Sequence, residues 1–442
     1  MSSFGRILMT AAAAATFAAG SAAGQLLPPL PLPPINVPGG TVPVAGPALG
    51  NLLGQAETRR VIAPTLDTVG GLPQRIAESG GDTLLQLRRL RLQELLKQHR
   101  AELESDGSGL PVRRGVLVAI DPDQLSLQQA DRAGFRVIGS DGDVELGIRT
   151  VHLAIPRGMS ARDGLRRLNR AAPAIVADLD HIYEPAGGAL LPAASAVAAA
   201  QGVGGGPRIG IIDGGVASHP SMAGASIEQN GFAGPPQPTG HGTAVASLIV
   251  GSQGPFRGAA RGASLFVADV YGGNRAAGSA SALVRAMSWL AAKRTQVINI
   301  SLVGPPNKLV ARAIQAARAR GIAIVAAVGN DGPAAPPQYP ASYPGVVAVT
   351  GVDARGRALP EAGRSTHLDF AAPGADMAAA LPGQGYARVR GTSFASPLAA
   401  ARLAQAGSPQ RLAAEARPGK GRVGRGIVCA TCRVDPKVVR AK

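Results

Sequence analysis

Short apolar runs alternate with helical patterns through the second half of the chain. The runs consist mainly of Val, Ile, Leu and Ala, without the polar alternation of a strand that has one face in water. The segments between the runs repeat their apolar residues at helical spacing. This alternation predicts a parallel sheet with helices on both faces, which is a three-layer α/β domain over residues 207–408.

A different pattern occupies residues 111–185. The predicted order is strand, helix, strand, strand, helix, strand, with Ser160 as the N-cap of the second helix. Elements in this order form the split βαβ, or ferredoxin-like, arrangement, so we predict a small α+β module before the larger domain. Residues 186–206 are rich in Gly and Ala and have no periodicity, which predicts a linker between the two domains.

The ends of the chain have patterns of their own. Residues 1–23 show the basic residue, apolar run and small residues of a secretory signal peptide, and the run is too short to span a bilayer. The composition of residues 24–81 predicts a Pro/Gly-rich linker. Residues 409–442 are predicted to form a basic C-terminal tail. Residues 82–104 predict a basic amphipathic helix. We interpret that helix as packing on a neighbouring domain, with a membrane or a partner protein as the alternative.

Composition narrows the class of protein. The 442 residues are 45% hydrophobic but only 3% aromatic, so the core must be aliphatic. Lys and Arg exceed Asp and Glu by 45 − 28 = 17. Much of this surplus lies in the tail rather than in a groove, so we expect nonspecific binding to anionic surfaces and no specific nucleic-acid partner. In an exported chain the only two cysteines, Cys429 and Cys432, predict a short-range disulfide rather than a zinc or redox site.

Four polar residues at predicted strand ends and helix starts carry the candidate chemistry. Asp213 ends a buried strand, His241 lies between two glycines at the start of an apolar helix, and Ser393 follows Gly-Thr before another helix. Amide hydrolysis needs a nucleophile, a base that takes its proton and an anion that orients the base, which are the roles of Ser, His and Asp. Asn330 closes a further strand, and its amide is a candidate donor to an oxyanion.

The motifs around these residues resemble those of the subtilisin-like serine proteases. The segments DGGVASHP, GHGTAVAS, AAVGNDGP and GTSFASP follow one another in that family's order over roughly 205–405. The resemblance implies a three-layer α/β fold with a central parallel sheet and endopeptidase activity through an acyl-enzyme. It also implies that Ser393 is the nucleophile, His241 the general acid and base, and Asp213 its orienting anion. Asn330 is then the oxyanion donor.

The resemblance extends to a substrate cleft. One segment is similar to the family's strand that pairs with the substrate backbone, and another to the opposite wall of the pocket for the side chain before the cleaved bond. The strand residues are Ser301, Leu302, Val303 and Gly304, and the wall residues are Ala327, Val328 and Gly329. Asp331 at the rim of that pocket predicts a preference for a basic substrate side chain. Because the acidic residues of this domain are not clustered, we predict no metal and no cofactor.

The ferredoxin-like module has the position and pattern of the propeptide found in many secreted relatives. The resemblance implies a zymogen in which residues 111–185 inhibit the active site until the chain cuts itself between Pro185 and Gly206. A permanent accessory domain is the alternative. We therefore predict an exported serine endopeptidase, secreted or periplasmic, whose partners are protein or peptide substrates and its own propeptide. A catalytically silent peptide-binding scaffold and an envelope-binding protein that uses the basic tail remain the alternatives.

Overall fold

The computed structural model describes part of the chain. The described residues are 35–37, 40–42, 81–143, 145–186, 200–201, 205–383 and 385–441. The predicted signal peptide and most of the two predicted linkers lie outside them. The chain divides into two units, 1–62 and 63–442. In the first unit, the described residues form a hairpin of β1 (Ile35–Val37) and β2 (Gly40–Val42).

The second unit holds all the helices that the structure describes. They are α1 (Gly81–Gln98), α2 (Gln124–Arg132), α3 (Ala161–Ala171), α4 (Gly240–Val250), α5 (Ala280–Ala292), α6 (Lys308–Ala319), α7 (Thr392–Ala406) and α8 (Pro409–Ala414). Its strands are β3 (Leu103–Ser105), β4 (Pro111–Ile120), β5 (Arg136–Asp143), β6 (Ile148–Ala154), β7 (Val176–His181), β8 (Glu184–Pro185), β9 (Ala200–Gln201), β10 (Arg208–Asp213), β11 (Ser226–Gly231), β12 (Ser252–Gln253), β13 (Phe256–Arg257), β14 (Ser264–Asp269), β15 (Val297–Ile300), β16 (Leu302–Val303), β17 (Ala323–Ala327), β18 (Val347–Val352), β19 (Phe370–Pro373), β20 (Met377–Ala380) and β21 (Tyr386–Val389). None of the helices in the described part of the chain is long and apolar enough to cross a membrane.

The N-terminal module of the second unit is an antiparallel sheet that carries two helices. Strand β4 pairs with β6 and β7, and β6 also pairs with β5, which gives the ferredoxin-like order β7-β4-β6-β5. Helices α2 and α3 begin at side-chain caps, because Asp123 accepts from the Ser126 amide and Ser160 from the Asp163 amide. The predicted Ser160 cap is therefore present in the structure.

Helix α1 is shorter than the pattern predicts. It ends at Gln98, and Leu103 lies in β3, paired antiparallel with Arg113 of β4. Leu103 continues the leucine stripe of the helix in the sequence, so periodicity alone extends the helix to residue 104. In the structure Leu103 and Leu95 are buried in one cluster, and strand pairing satisfies the backbone beyond the helix. Tertiary packing outweighs local periodicity here.

The C-terminal domain is built on an eight-stranded sheet. Seven strands run parallel in the order β19-β18-β17-β15-β10-β14-β11, and β9 adds antiparallel to β11 at the edge. One hydrophobic cluster packs α5 and α6 on one face, and another packs α4 and α7 on the other face. The result is the predicted three-layer arrangement. Asp213, Ser301 and Asn330 all lie at or just beyond the carboxyl ends of central strands, where such sheets place their sites.

The segment after α7 is more than a basic tail. Helix α8 follows at once, and the chain then returns to the edge strand β19, where Val428 donates to the Ala371 carbonyl at 2.8 Å. Leu412 and Val428 are fully buried. Cys429 and Cys432 form a disulfide in the structure. Burial of these aliphatic side chains against the sheet explains why the segment packs although its composition is basic.

Candidate active site

Asp213 and His241 form a buried hydrogen-bonded pair at the carboxyl end of β10. Asp213 ends β10 and is 0% exposed, and His241 lies in the first turn of α4, which begins at the Thr239 cap. His241 Nδ1 is 2.9 Å from Asp213 Oδ2 and 3.0 Å from Oδ1. Because an ionised carboxylate only accepts hydrogen bonds, Nδ1 carries the proton and Nε2 is left as the basic nitrogen.

Ser393 lies in the first turn of α7 and is fully buried. Ser393 Oγ and His241 Nε2 are both buried, and neither has a hydrogen-bond partner among the described residues. The Phe394 ring packs 5.1 Å from the imidazole centroid and helps to fix it. The turn before the helix requires glycine at position 391, because its φ is 143° and a Cβ there would lie 2.9 Å from Asn330 Nδ2.

Asn330 is held so that its amide points at a carbonyl group of the chain itself. Its Oδ1 accepts from the Thr392 amide at 2.9 Å, and this bond fixes which side of the amide group faces the cleft. Its Nδ2 donates to the backbone carbonyl of Ala186. A side-chain amide that donates to a carbonyl oxygen is the arrangement that an oxyanion donor makes with a substrate.

The backbone leading to Ala186 lies in the cleft as a strand. β8 pairs antiparallel with β16, and the Ala186 amide donates to the Ser301 carbonyl at 2.8 Å. On the other side, the Tyr183 amide donates to the Gly278 carbonyl at 2.7 Å. Main-chain bonds on both sides are the way in which a cleft binds an extended peptide. The segment 184–186 thus pairs with three of the predicted strand residues, Ser301, Leu302 and Val303, whereas Gly304 pairs with Tyr339.

The side chains of this segment occupy two buried sites. Ala186 packs with Val303 and Ala327, so the predicted wall and the predicted strand meet around it. Tyr183 is fully buried, and its hydroxyl donates to the Pro305 carbonyl at 2.9 Å. A Cβ on Gly304 would lie 2.6 Å from the Tyr183 ring, so glycine at that position makes room for the aromatic side chain.

A network of charges covers the segment on its exposed side. Glu184 lies between Arg275 Nη2 at 3.1 Å and Arg91 Nε of α1 at 3.2 Å. Arg91 Nη2 also reaches Asp331 at 3.0 Å, and Arg88 Nε lies 3.1 Å from the same carboxylate. Burial alone would raise the pKa of Glu184, but its attraction to Arg91 and Arg275 outweighs burial and holds the pKa below 4.5. With α1 in place, Asp331 pairs with Arg88 and Arg91.

Asp269 supports one edge of the cleft from behind. It is buried beside Asp213 in the sheet register and accepts from the amides of Gln237, Tyr271 and Gly272. Burial raises the pKa of this carboxyl above its ordinary value, although the three amides oppose the change. The Tyr271 hydroxyl in turn donates to the Tyr183 carbonyl at 3.0 Å. Asp269 therefore positions a residue that binds the strand in the cleft.

The sequence motifs do not include every residue that takes part in this cleft. Residues 178–185 end the predicted propeptide, and nothing in their sequence indicates which residue reaches Asn330. Arg275 and Arg91 carried no motif at all. Among the residues that the structure describes, no group of three or more His, Cys, Asp or Glu side chains is placed to hold a metal ion.

Comparison with known proteins identifies what the domain is similar to. The model of the Subtilase family matches residues 204–415. Subtilisin Savinase from Lederbergia lenta is 32% identical over 202 residues, which are 44% of this chain and 73% of that relative. The Alkaline protease of Alkalihalobacillus alcalophilus is also 32% identical over 202 residues, covering 44% of this chain and 52% of that relative.

A solved structure matches a longer part of the chain than the family model does. Fervidolysin from Fervidobacterium pennivorans, described as a keratinolytic enzyme related to subtilisin, matches with a TM-score of 0.60. The match covers 75% of this chain and 61% of that one, at 18% identity. At this identity the likeness shows the fold alone. It extends beyond the segment that the family model matches.

Proposed function

The chain belongs to the subtilase family of serine endopeptidases, and from that premise we propose that it is an exported zymogen that cuts itself after Ala186. One observation carries the proposal. The carbonyl of Ala186 accepts from Asn330 Nδ2 while the preceding residues pair with β16, as a peptide substrate would. The bond to be cleaved is therefore the one between Ala186 and Gly187, which lies within the linker predicted to contain the processing site.

The proposed reaction uses the buried groups in a fixed order. Ser393 Oγ attacks the carbonyl carbon of residue 186 as His241 Nε2 takes the hydroxyl proton. The oxyanion that forms accepts from Asn330 Nδ2, and Asp213 stabilises the imidazolium. Collapse of the intermediate breaks the bond to Gly187 and transfers the proton from His241 to the leaving amine. A water molecule then hydrolyses the ester on Ser393 by the same steps, and the substrate fragment leaves as a carboxylate.

The N-terminal module acts in this proposal as an inhibitor held at several points. Asp180 accepts from the Ser281 amide at 2.9 Å, and Asp178 accepts from the Lys308 amide at 2.7 Å. These amides begin α5 and α6, so two carboxylates of the module lie at two helix N-termini of the catalytic domain, where the helix dipole favours negative charge. Glu184 adds a salt bridge to Arg275 of the catalytic domain. After cleavage, the segment ending at Ala186 stays in the cleft as a bound product.

Export and substrate class complete the proposal. The signal-like pattern over 1–23 supports export, and so does the disulfide between Cys429 and Cys432, because such bonds persist in oxidising compartments. The substrates are proteins or peptides that bind in extended form beside β16. The surplus of Lys and Arg supports nonspecific contact with anionic surfaces as an additional property.

The cleavage site is tested by the N-terminus of the processed enzyme. We expect intact mass and N-terminal sequencing to place it at Gly187. Ala186→Trp should slow processing about 5- to 150-fold, because forcing bulk against Val303 and Ala327 costs about 1–3 kcal/mol. Val176→Trp, which introduces the same side chain at a half-exposed site in β7, is the control and should process normally. Unchanged processing of Ala186→Trp would place the cut elsewhere.

Acid should release the module after cleavage. Against the effect of burial, Arg91 and Arg275 lower the pKa of Glu184 in the complex, but Arg91 belongs to the module, so only the attraction to Arg275 is lost on separation. That attraction is fully present above the ordinary pKa of the carboxyl and is lost as the pH falls through the lowered value. We expect inhibition by the separated module to be constant above pH 4.5 and to weaken below it. Glu184→Gln should weaken inhibition at neutral pH and reduce the acid dependence. A steep acid dependence unchanged in Glu184→Gln would assign the effect to another group.

A further inference from the structure

We propose that Arg275 makes the mature enzyme select an acidic side chain at the third residue before the cleaved bond. The inference rests on the proposed function, because it takes Ala186 as the first residue before the cut and therefore Glu184 as the third. It assigns the substrate class as peptides that carry a carboxylate at that position. It also makes Arg275 a specificity-determining residue of the catalytic domain.

Arg275 is placed by the same backbone that binds the substrate strand. It begins the short 3-10 turn Arg275–Ala277, which Asn274 caps by accepting from the Ala276 amide at 3.0 Å. The chain then continues into Gly278, whose carbonyl binds the strand in the cleft. Since the cleft holds the substrate backbone in register, the third side chain is presented to the Arg275 guanidinium. Glu184 Oε1 lies 3.1 Å from Arg275 Nη2 in this register.

Arg275 has an unused donor at this site. Its Nε is buried and has no hydrogen-bond partner among the described residues, while Nη2 binds one oxygen of Glu184. The other oxygen of Glu184 is held by Arg91. Arg91 belongs to α1 and leaves with the N-terminal module. A carboxylate of a peptide substrate is then free to offer both oxygens to Nε and Nη2, which is the two-point geometry that arginine favours.

The charge of Asp331 opposes the preference for an acidic side chain. Its replacement therefore provides a second test of that preference. In the zymogen, Arg91 lies between Asp331 and Glu184 and neutralises both. Without Arg91, Asp331 repels an acidic substrate side chain and attracts a basic one. The partner that remains within hydrogen-bond distance is Arg275, so we expect the acidic preference to prevail. Asp331→Asn should then increase that preference, whereas a cleft governed by Asp331 would prefer lysine.

The test compares peptides with the sequence Tyr-X-Pro-Ala before a chromogenic leaving group, where X is Glu, Gln or Lys. The enzyme is the fragment released from the full chain by processing, titrated with a fluorophosphonate so that rates refer to active sites. We expect kcat/KM for the Glu peptide to be about 3- to 10-fold higher than for the Gln peptide. The difference between the Glu and Lys peptides should be larger still. The ratio of Glu to Gln should fall to one or below in Arg275→Gln, because only the repulsion by Asp331 then acts on the substrate carboxylate. Arg275→Glu should prefer Lys.

Salt gives a readout that does not depend on any variant. The preference for Glu over Gln in the wild-type enzyme should shrink as ionic strength rises, because Arg275 is 29% exposed and its attraction to the substrate is partly screened. Labelled enzyme that cuts the three peptides equally, or prefers Lys, overturns this inference alone. An enzyme that neither labels nor cuts any peptide overturns the proposed function, and this inference with it.

Discussion

Replacement of Ser393 by alanine should lower kcat for a peptide substrate about 10⁶-fold, which is the size of loss measured for the nucleophilic serine of a family member. The expectation has a structural reason. Ser393 Oγ and His241 Nε2 are buried and without partners among the described residues, so the hydroxyl has no competing role to preserve. Removal of one oxygen atom leaves the aspartate–histidine pair intact. Without the nucleophile, only the binding and oxyanion contributions remain.

Ser393→Ala should lose both self-processing and peptide hydrolysis. The purified full-length chain should stay uncut, and the protein should not hydrolyse an added peptide. Ser396→Ala is the matched control, because Ser396 is also fully buried and lies one turn further along α7, where its Oγ is 3.3 Å from Ser301 Oγ. That control should retain activity. Loss of activity in Ser396→Ala alone would mean that the motif has been matched to the wrong serine.

Asn330→Leu should lower kcat by about 10²- to 10³-fold, the range measured for loss of this kind of donor in a family member. Asn330 Nδ2 donates to the Ala186 carbonyl, and in the reaction that oxygen becomes an oxyanion. A bond to a developing charge is stronger in the transition state than in the bound substrate. Leucine has a similar size to asparagine but no polar atoms, so the oxyanion loses one donor.

The division between kcat and KM separates this role from a structural one. We expect KM to change little, because the main-chain bonds to β16 still bind the peptide. The Thr392 amide loses its acceptor in the variant, so thermal unfolding should be measured alongside activity. Equal kcat in the variant and the wild type would remove Asn330 from the reaction. A large rise in KM at unchanged kcat would make it a binding residue only.

The family, the fold class and the enzyme class could be predicted from the sequence, and comparison with known proteins confirms them. The reason is local. Each functional residue can be identified from its immediate neighbours in the sequence. Asp213 ends an apolar strand, and His241 and Ser393 lie at the starts of helices close to glycines. The order of elements in the N-terminal module is equally local, since each cap and each period can be identified within one element.

The contents of the cleft could not be predicted in the same way. The pairing of Glu184 with Val303 joins residues far apart in the chain, and no local pattern specifies its register. A shift of one residue would present different side chains to the same pockets. Asp331 illustrates the consequence. Its charge suggested a basic substrate side chain, whereas in the structure its carboxylate binds Arg88 and Arg91 of α1.

Labelling of the purified full-length chain with a fluorophosphonate, followed by intact mass and peptide mapping, tests whether Ser393 is the nucleophile of a protease that processes itself. We expect a label on Ser393, carried by a fragment that begins at Gly187, and no label on Ser393→Ala. If the chain remains uncut, brief treatment with an added protease should remove the module and expose the site to the label. A chain that stays unlabelled after that treatment, or a label that persists in Ser393→Ala, would mean that Ser393 is not the nucleophile of a serine endopeptidase.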